Sequence, residues 1–222
     1  MNPVLRAAAA HVVVDNLDSP SLDETDAHHL FRVLRLRPGA VVTATDGRGG
    51  WRQCRVEGRD SIVVDGAIAS ESARTNPIGV AFVPVKAEKP ETTIRQLVEV
   101  GVDEIVVLAP TRRAVAGSRD RLNDRAARIV HEACMQSRRV FVPTVHLGVS
   151  LADLCARSGV ALADPDGVEP SREHRVLIVG PEGGFDDGEV PVTVPRVRIG
   201  PSILRAETAA VVAGARLVAL HA

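Results

Sequence analysis

Tyrosine is absent from this chain, tryptophan occurs once and phenylalanine four times. Aromatic residues make up 2% of the sequence, which argues against recognition platforms that stack bases on exposed rings. Lysine is scarce as well: Lys86 and Lys89 are the only two, so nearly all of the 27 basic residues are arginines. They are opposed by 28 acidic residues, for a formal net charge of −1. Nucleic acid is therefore not held by global charge, and any such contact must come from local arginine patches. Cys54, Cys134 and Cys155 are widely spaced and include no CxxC. That pattern argues against a disulfide framework or a zinc site and suits a reducing compartment. No apolar run approaches the ~18 residues of a membrane span. No basic head precedes an apolar core at the N-terminus, although residues 7–14 are mildly apolar. A cytoplasmic protein without a membrane partner is expected.

At 222 residues, 45% apolar and 25% charged, the chain can bury a sizeable core and accommodates two domains. Its most informative stretch lies near the C-terminus. The apolar run Val176-Leu177-Ile178-Val179 breaks into Gly180-Pro181-Glu182-Gly183-Gly184-Phe185. A second run ends at Gly200-Pro201-Ser202-Ile203-Leu204-Arg205-Ala206-Glu207-Thr208-Ala209-Ala210 and enters an alanine-rich helix, 207–220. Each is a buried strand stopping at Gly-Pro, where glycine permits positive φ and close approach to a ligand. Two such loops at the ends of neighbouring strands form the kind of crevice in which α/β sheets bind ligands. Neither loop is GxxxxGK[ST] or GxGxxG. The cradling lysine is missing, and Asp186-Asp187-Gly188-Glu189 would repel a polyphosphate. A neutral or cationic nucleoside-like ligand held by backbone groups suits the pair better.

GPEGGF followed by GPSILRAETAA resembles the RsmE family, the ribosomal RNA small subunit methyltransferases E, within the SPOUT superfamily. The resemblance runs from His28 to Ala210. It implies an α/β domain (α+β overall) with a parallel sheet and a C-terminal trefoil knot, preceded by a small PUA-like β-barrel. It further implies S-adenosylmethionine-dependent methylation of uridine N3 in 16S rRNA, within the small ribosomal subunit, by a homodimer that uses no metal.

The rest of the chain is consistent with that plan. Residues 1–70 read as mostly β: a strand at 12–14, strands at 41–45 and 51–56 joined by the hairpin signal Asp46-Gly47-Arg48-Gly49-Gly50, and a strand at 61–68. Between the first two lies a helix, 23–36, with Ser21 and Glu24 as a capping box and Leu22, Ala27, Leu30, Val33 and Leu34 at helical spacing. Polar residues 71–78 form the linker. From 79 onward strands and helices alternate, which implies a parallel sheet: strands at 79–84, 103–109, 159–163 and 192–199, and helices at 91–100, 123–137 and 151–158.

By the residues alone, His28 is part of a solvated helix face. The segment HHLFRVLR resembles the RNA-docking part of the family, which implies phosphate contacts by His28, Arg32 and Arg35. By the residues alone Lys86 and Lys89 equally form a solvated turn; the resemblance implies the family's lysine pair at the RNA edge, although Ala87 stands where glycine is usual. Arg113 and Arg138 complete the implied RNA set. For Arg138, at the end of EACMQSRR, a helix-dipole role serves equally well.

The cofactor would rest on Ile178, Val179, Gly180, Gly183 and Gly184 in the first loop and on Ile199, Gly200, Ile203 and Leu204 in the second, with Glu182 orienting it or offsetting its charge. Thr208 would hydrogen-bond it or simply pack. Arg205 is the candidate for stabilising the anionic base. Glu207 could accept the proton, bind the cofactor or cap the helix. Asp164 and Asp166 replace a more usual His-Glu and receive no catalytic role. Three alternatives remain open: methylation of another RNA position, an RNA-binding protein that has lost catalysis, and an unrelated nucleotide-binding enzyme.

Overall fold

The computed structural model describes residues 2–58, 60–84, 89–111 and 120–222. The chain divides into two compact units, Met1–Arg74 with His131–Val142, and Thr75–Val130 with Pro143–Ala222.

In the smaller unit, helix α1 (Pro3–Ala7) leads into strand β1 (Ala10–Val13), followed by helix α2 (Glu24–His28) and strands β2 (Val41–Thr45), β3 (Gly50–Glu57), β4 (Ser61–Val64) and β5 (Ala69–Ser70). β1 runs parallel to β2, and β3 is antiparallel to β2, β4 and β5. The β2–β3 turn forms where the sequence predicts it. Asp46 Oδ1 accepts from the amides of Arg48 and Gly50, and a Cβ on Gly49 (φ +102°) would strike Phe141 at 2.5 Å. Alternation along the strands buries Val12, Val42, Ala44 and Cys54 in a core that also takes in Leu30 and Met135. Met135 belongs to the returning segment, so a stretch distant in sequence completes this unit.

The expected helix 23–36 is shorter and differently capped. Asp23, rather than Ser21, is the N-cap, and its side chain accepts from the Asp26 amide at 2.7 Å. After His28 the backbone widens into a π-helical turn, His29–Val33. This removes Val33 and Leu34 from the buried face, leaving them 57% and 43% exposed.

The larger unit carries β6 (Gly79–Phe82), α3 (Pro90–Val100), β7 (Glu104–Leu108), α4 (Asp120–Ser137), β8 (Thr144–Val149), α5 (Leu151–Cys155), β9 (Val160–Val168), β10 (Val176–Val179), β11 (Arg196–Val197) and α6 (Ala206–Leu220). Helix α4 starts in this unit, and from His131 onward it belongs to the smaller one. All six strands are parallel, in the order β11-β9-β10-β6-β7-β8. β6 and β10 are buried at every position, as expected of strands covered on both faces. Helix α6 approaches α3 so closely that a Cβ on Gly214 would stand 3.1 Å from Leu97 and Val102 side chains.

Four strand readings need adjustment: the strand expected over 61–68 ends at Val64, and the one expected over 159–163 runs on to Val168. β8, not anticipated, is half-exposed along its length. The strand expected over 192–199 is reduced to Arg196–Val197, because Pro191 and Pro195 cannot donate to a ladder. No helix among the described residues is long and apolar enough to cross a membrane.

Candidate active site

The chain places β6, β7 and β8 successively to one side of the sheet, then returns to set β9 on the other side and threads β10 between β9 and β6. At such a reversal of strand order the loops leaving the carboxyl ends diverge and open a crevice. A cavity of about 670 Å³ lies there, within the range of small-molecule sites.

Both Gly-Pro loops wall it. Val179, Gly180, Glu182 and Gly184 come from the first, and Ile199, Gly200, Ile203 and Leu204 from the second. The first loop turns through a bond from the Gly184 amide to the Pro181 carbonyl, 2.8 Å. Of the two glycines this loop contributes to the lining, Gly184 adopts positive φ, +69°. Gly180 answers a different demand, since a Cβ there would sit 3.0 Å from the Phe185 ring. Ile178 lies in β10, fully buried in the core of the sheet, and Gly183 and Thr208 fall outside the lining. Arg205, exposed at the N-cap of α6, and Glu207, in that helix's first turn, flank the lining residue Ala206 without lining the cavity themselves.

Two further segments wall the cavity beyond the two Gly-Pro loops. One is 186–192, including Asp186, Asp187, Pro191 and Val192. The other pairs Asp164 with Arg196. Their meeting follows from an irregular register: Arg196 is opposite Leu162 and Val197 opposite Val168, so residues between them bulge from β9. Gly167 permits this, because a Cβ there would lie 2.5 Å from the Val197 amide nitrogen. The Asp166 amide and the Arg196 guanidinium together hold the Asp164 carboxyl below the usual carboxylate range, against a smaller opposing effect of burial. Arg196 is the one basic residue of the lining among the described residues, and it is engaged by Asp164. Glu182, Asp186 and Asp187 therefore leave the cavity net acidic, which suits a cationic ligand.

Among the described residues, none of those expected at RNA lines this cavity. His28, Arg32 and Arg35 are exposed on α2 and the turn that follows, and Arg138 is half-buried just past α4. Arg35 and Arg138 adopt φ +52° and +57°, uncommon for side chains other than glycine. Lys89 is exposed at the N-cap of α3. Lys86 and Arg113 lie outside the described residues. Among the described residues no group of three or more His, Cys, Asp or Glu could hold a metal ion.

A parallel sheet with a net acidic, loop-walled cavity at its order reversal, in a chain that also carries a small β unit, defines an α/β ligand-binding protein with an additional module. Residues 72–218 match the family model of the RNA methyltransferase domain, and residues 22–65 that of the RNA methyltransferase PUA domain. The chain belongs to this RNA methyltransferase family, as the RsmE resemblance anticipates. It is 28% identical to the ribosomal RNA small subunit methyltransferase E of Synechocystis sp., over 90% of this chain and 73% of that protein. It is 29% identical to the protein of that name from Mycobacterium bovis, covering 86% and 83%. A Neisseria gonorrhoeae ribosomal RNA small subunit methyltransferase E, solved bound to S-adenosyl methionine, superposes with a TM-score of 0.75 at 24% identity, covering 95% and 97%, a likeness in fold.

Proposed function

We propose that this protein transfers the methyl group of S-adenosylmethionine to N3 of a uridine in small-subunit ribosomal RNA. The observation that carries the reading is the cavity: about 670 Å³, walled by both Gly-Pro loops and net acidic. A polyphosphate would meet Glu182, Asp186 and Asp187 with no free cation in the described lining. A nucleoside bearing a sulfonium and an ammonium group would find compensating charge there. Apolar Val179, Ile199 and Leu204 suit the nucleoside, and the loop backbones of 178–184 and 199–204 supply polar groups.

When bound, the cofactor supplies an electrophilic methyl group. This chain's part is to hold base and methyl in line, which in favourable cases is worth about 7–11 kcal/mol of the barrier, and to ease loss of the N3 proton. Arg205 would place its cation near the uracil carbonyls and stabilise negative charge as it develops. Glu207, two residues further on, would bind the cofactor or accept the proton. Thr208 and Gly183 would act from outside the lining. The small unit would dock RNA through His28, Arg32, Arg35 and Arg138, with Lys86, Lys89 and Arg113 acting from the larger unit. A knotted C-terminus, a homodimer with its site at the subunit contact, and a cytoplasmic location belong to the same reading.

A Cβ on Gly200 meets only Leu204, at 3.9 Å, so a large side chain there can grow into the cavity. Calorimetry should register S-adenosylmethionine binding to the wild type and at least a tenfold loss in Gly200→Trp. Mapping of methylated nucleotides in small-subunit rRNA treated with the enzyme should find one modified uridine. No cofactor binding by the wild type would sink the reading.

A further inference from the structure

A second cavity, about 420 Å³, shares Pro165, Gly200, Ser202 and Ile203 with the first. The same loop that walls the cofactor site thus also walls a neighbouring hollow. Its charged lining is of the opposite kind. Arg198 follows β11, Arg216 lies on α6 and Glu169 follows β9. Glu169 sits between the two guanidiniums: Arg198 Nη2 donates to its Oε1 at 3.3 Å, and Arg216 Nη2 donates to its Oε2. The bond from Arg198 and the charge of Arg216 hold the Glu169 carboxyl below its usual range, so it is ionised at neutral pH.

One carboxylate between two guanidiniums leaves a net positive charge. The two guanidiniums come from different elements and meet at this one carboxylate. A guanidinium carries five N–H donors, and the bonds to Glu169 occupy one nitrogen of each. Both side chains remain open to a large ligand, at 48% and 37% exposure. The remaining donors fit an anion with several acceptor oxygens, because arginine forks match phosphate geometry. Resting on the methyltransferase reading, we propose that Arg198 and Arg216 form a phosphate-binding site that grips the RNA backbone beside the target nucleotide, while the base reaches the adjoining cavity. The shared loop 200–203 would then be braced by RNA on one side and cofactor on the other.

The test measures binding of isolated small-subunit rRNA and of S-adenosylmethionine to the wild type, Arg198→Gln, Arg216→Gln and Glu169→Gln over a range of salt. Each arginine variant should bind rRNA about three- to tenfold more weakly. Its log–log salt slope should be shallower by roughly 0.7–0.9 for each phosphate that is no longer neutralised. Cofactor affinity should stay within about twofold. Glu169→Gln distinguishes the proposal from a purely structural cluster. Removing the carboxylate raises the local positive charge, so rRNA should bind more tightly at low salt, whereas loss of a structural brace would weaken it. Three results overturn the site: rRNA affinity equal to wild type in both arginine variants, weaker rRNA binding in Glu169→Gln, or a changed oligomeric state in sedimentation that accounts for the affinity change and marks an interface with a second copy. A wild type that binds neither cofactor nor rRNA removes the methyltransferase reading and this site with it. A wild type that binds both, with variants that match it, removes this site alone.

Discussion

In the small unit, His11, Asp26, Thr43 and Thr45 are all buried, whereas Thr93 is the one buried polar or charged side chain among the described residues of the larger unit. The two units are held by different physics. In the larger one, strands such as β10 and β6 pack hydrocarbon on both faces, and burial is non-directional and proportional to area. In the smaller one, segment 131–142 is joined to the sheet and to α2 by directional bonds. His11 Nδ1 meets Thr43 Oγ1 at 2.8 Å, and its Nε2 donates to the Arg139 carbonyl at 3.1 Å. Thr45 Oγ1 lies 3.2 Å from the Val140 carbonyl, and His131 pairs with Asp26 at 3.0 Å. Directional bonds fix one register of a short segment where a small core could tolerate several.

The comparison can be broken most directly in the larger unit. Leu177→Ala in β10 removes a fully buried side chain and should cost about 2–5 kcal/mol, measured by denaturant unfolding. A similar cost at every pH is the signature of a hydrocarbon core. The small unit should instead respond to acid. Burial outweighs the Arg139 bond and lowers the His11 pKa to about 4 from 6.5. Its neutral form is therefore the folded one, and as pH falls from 6.5 the unfolded chain takes a proton that the folded chain refuses. Stability should drop by about 3 kcal/mol between pH 6.5 and 4. Unfolding of His11→Gln should lose most of that acid slope; an unchanged slope would assign it to other groups.

His131 should act in the opposite sense and more weakly. The Asp26 carboxylate raises its pKa above 6.5, against partial burial, with further support from Asp23 and Glu132. The pair's contribution is fully present below pH 6.5 and fades as pH rises through the folded value. His131→Gln should therefore cost stability at pH 6 and little at pH 9.

Much of the site is legible in the sequence because it is local. Gly-Pro after an apolar run announces a strand that ends in a tight loop, and GPEGGF and GPSILRAETAA are each continuous in sequence. Six of the cofactor residues named within them, with Val179 and Ile199 just before them, wall one cavity. The acidic stretch at 186–189 is hostile to polyphosphate by its charge alone, and Asp186 and Asp187 do line the cavity. The Asp164–Arg196 pair is not legible, since it depends on a slipped register between β9 and β11. The π-helical turn is hidden because Val33 and Leu34 satisfy helical spacing whether or not the helix continues.

Local backbone chemistry, then, was determined by the sequence alone: where strands stop, where glycine is required, which helices are amphipathic, and which family the two loops resemble. Only the tertiary structure decided that β10 enters between β9 and β6, that the end of α4 returns to the small unit, and that Arg198, Arg216 and Glu169 meet. The physical reason is the range of the forces. Turn and capping preferences act between neighbours in sequence. Strand order and charge clusters depend on which of several equally apolar or equally charged segments meet across the fold, and only the packing of the whole chain selects among them.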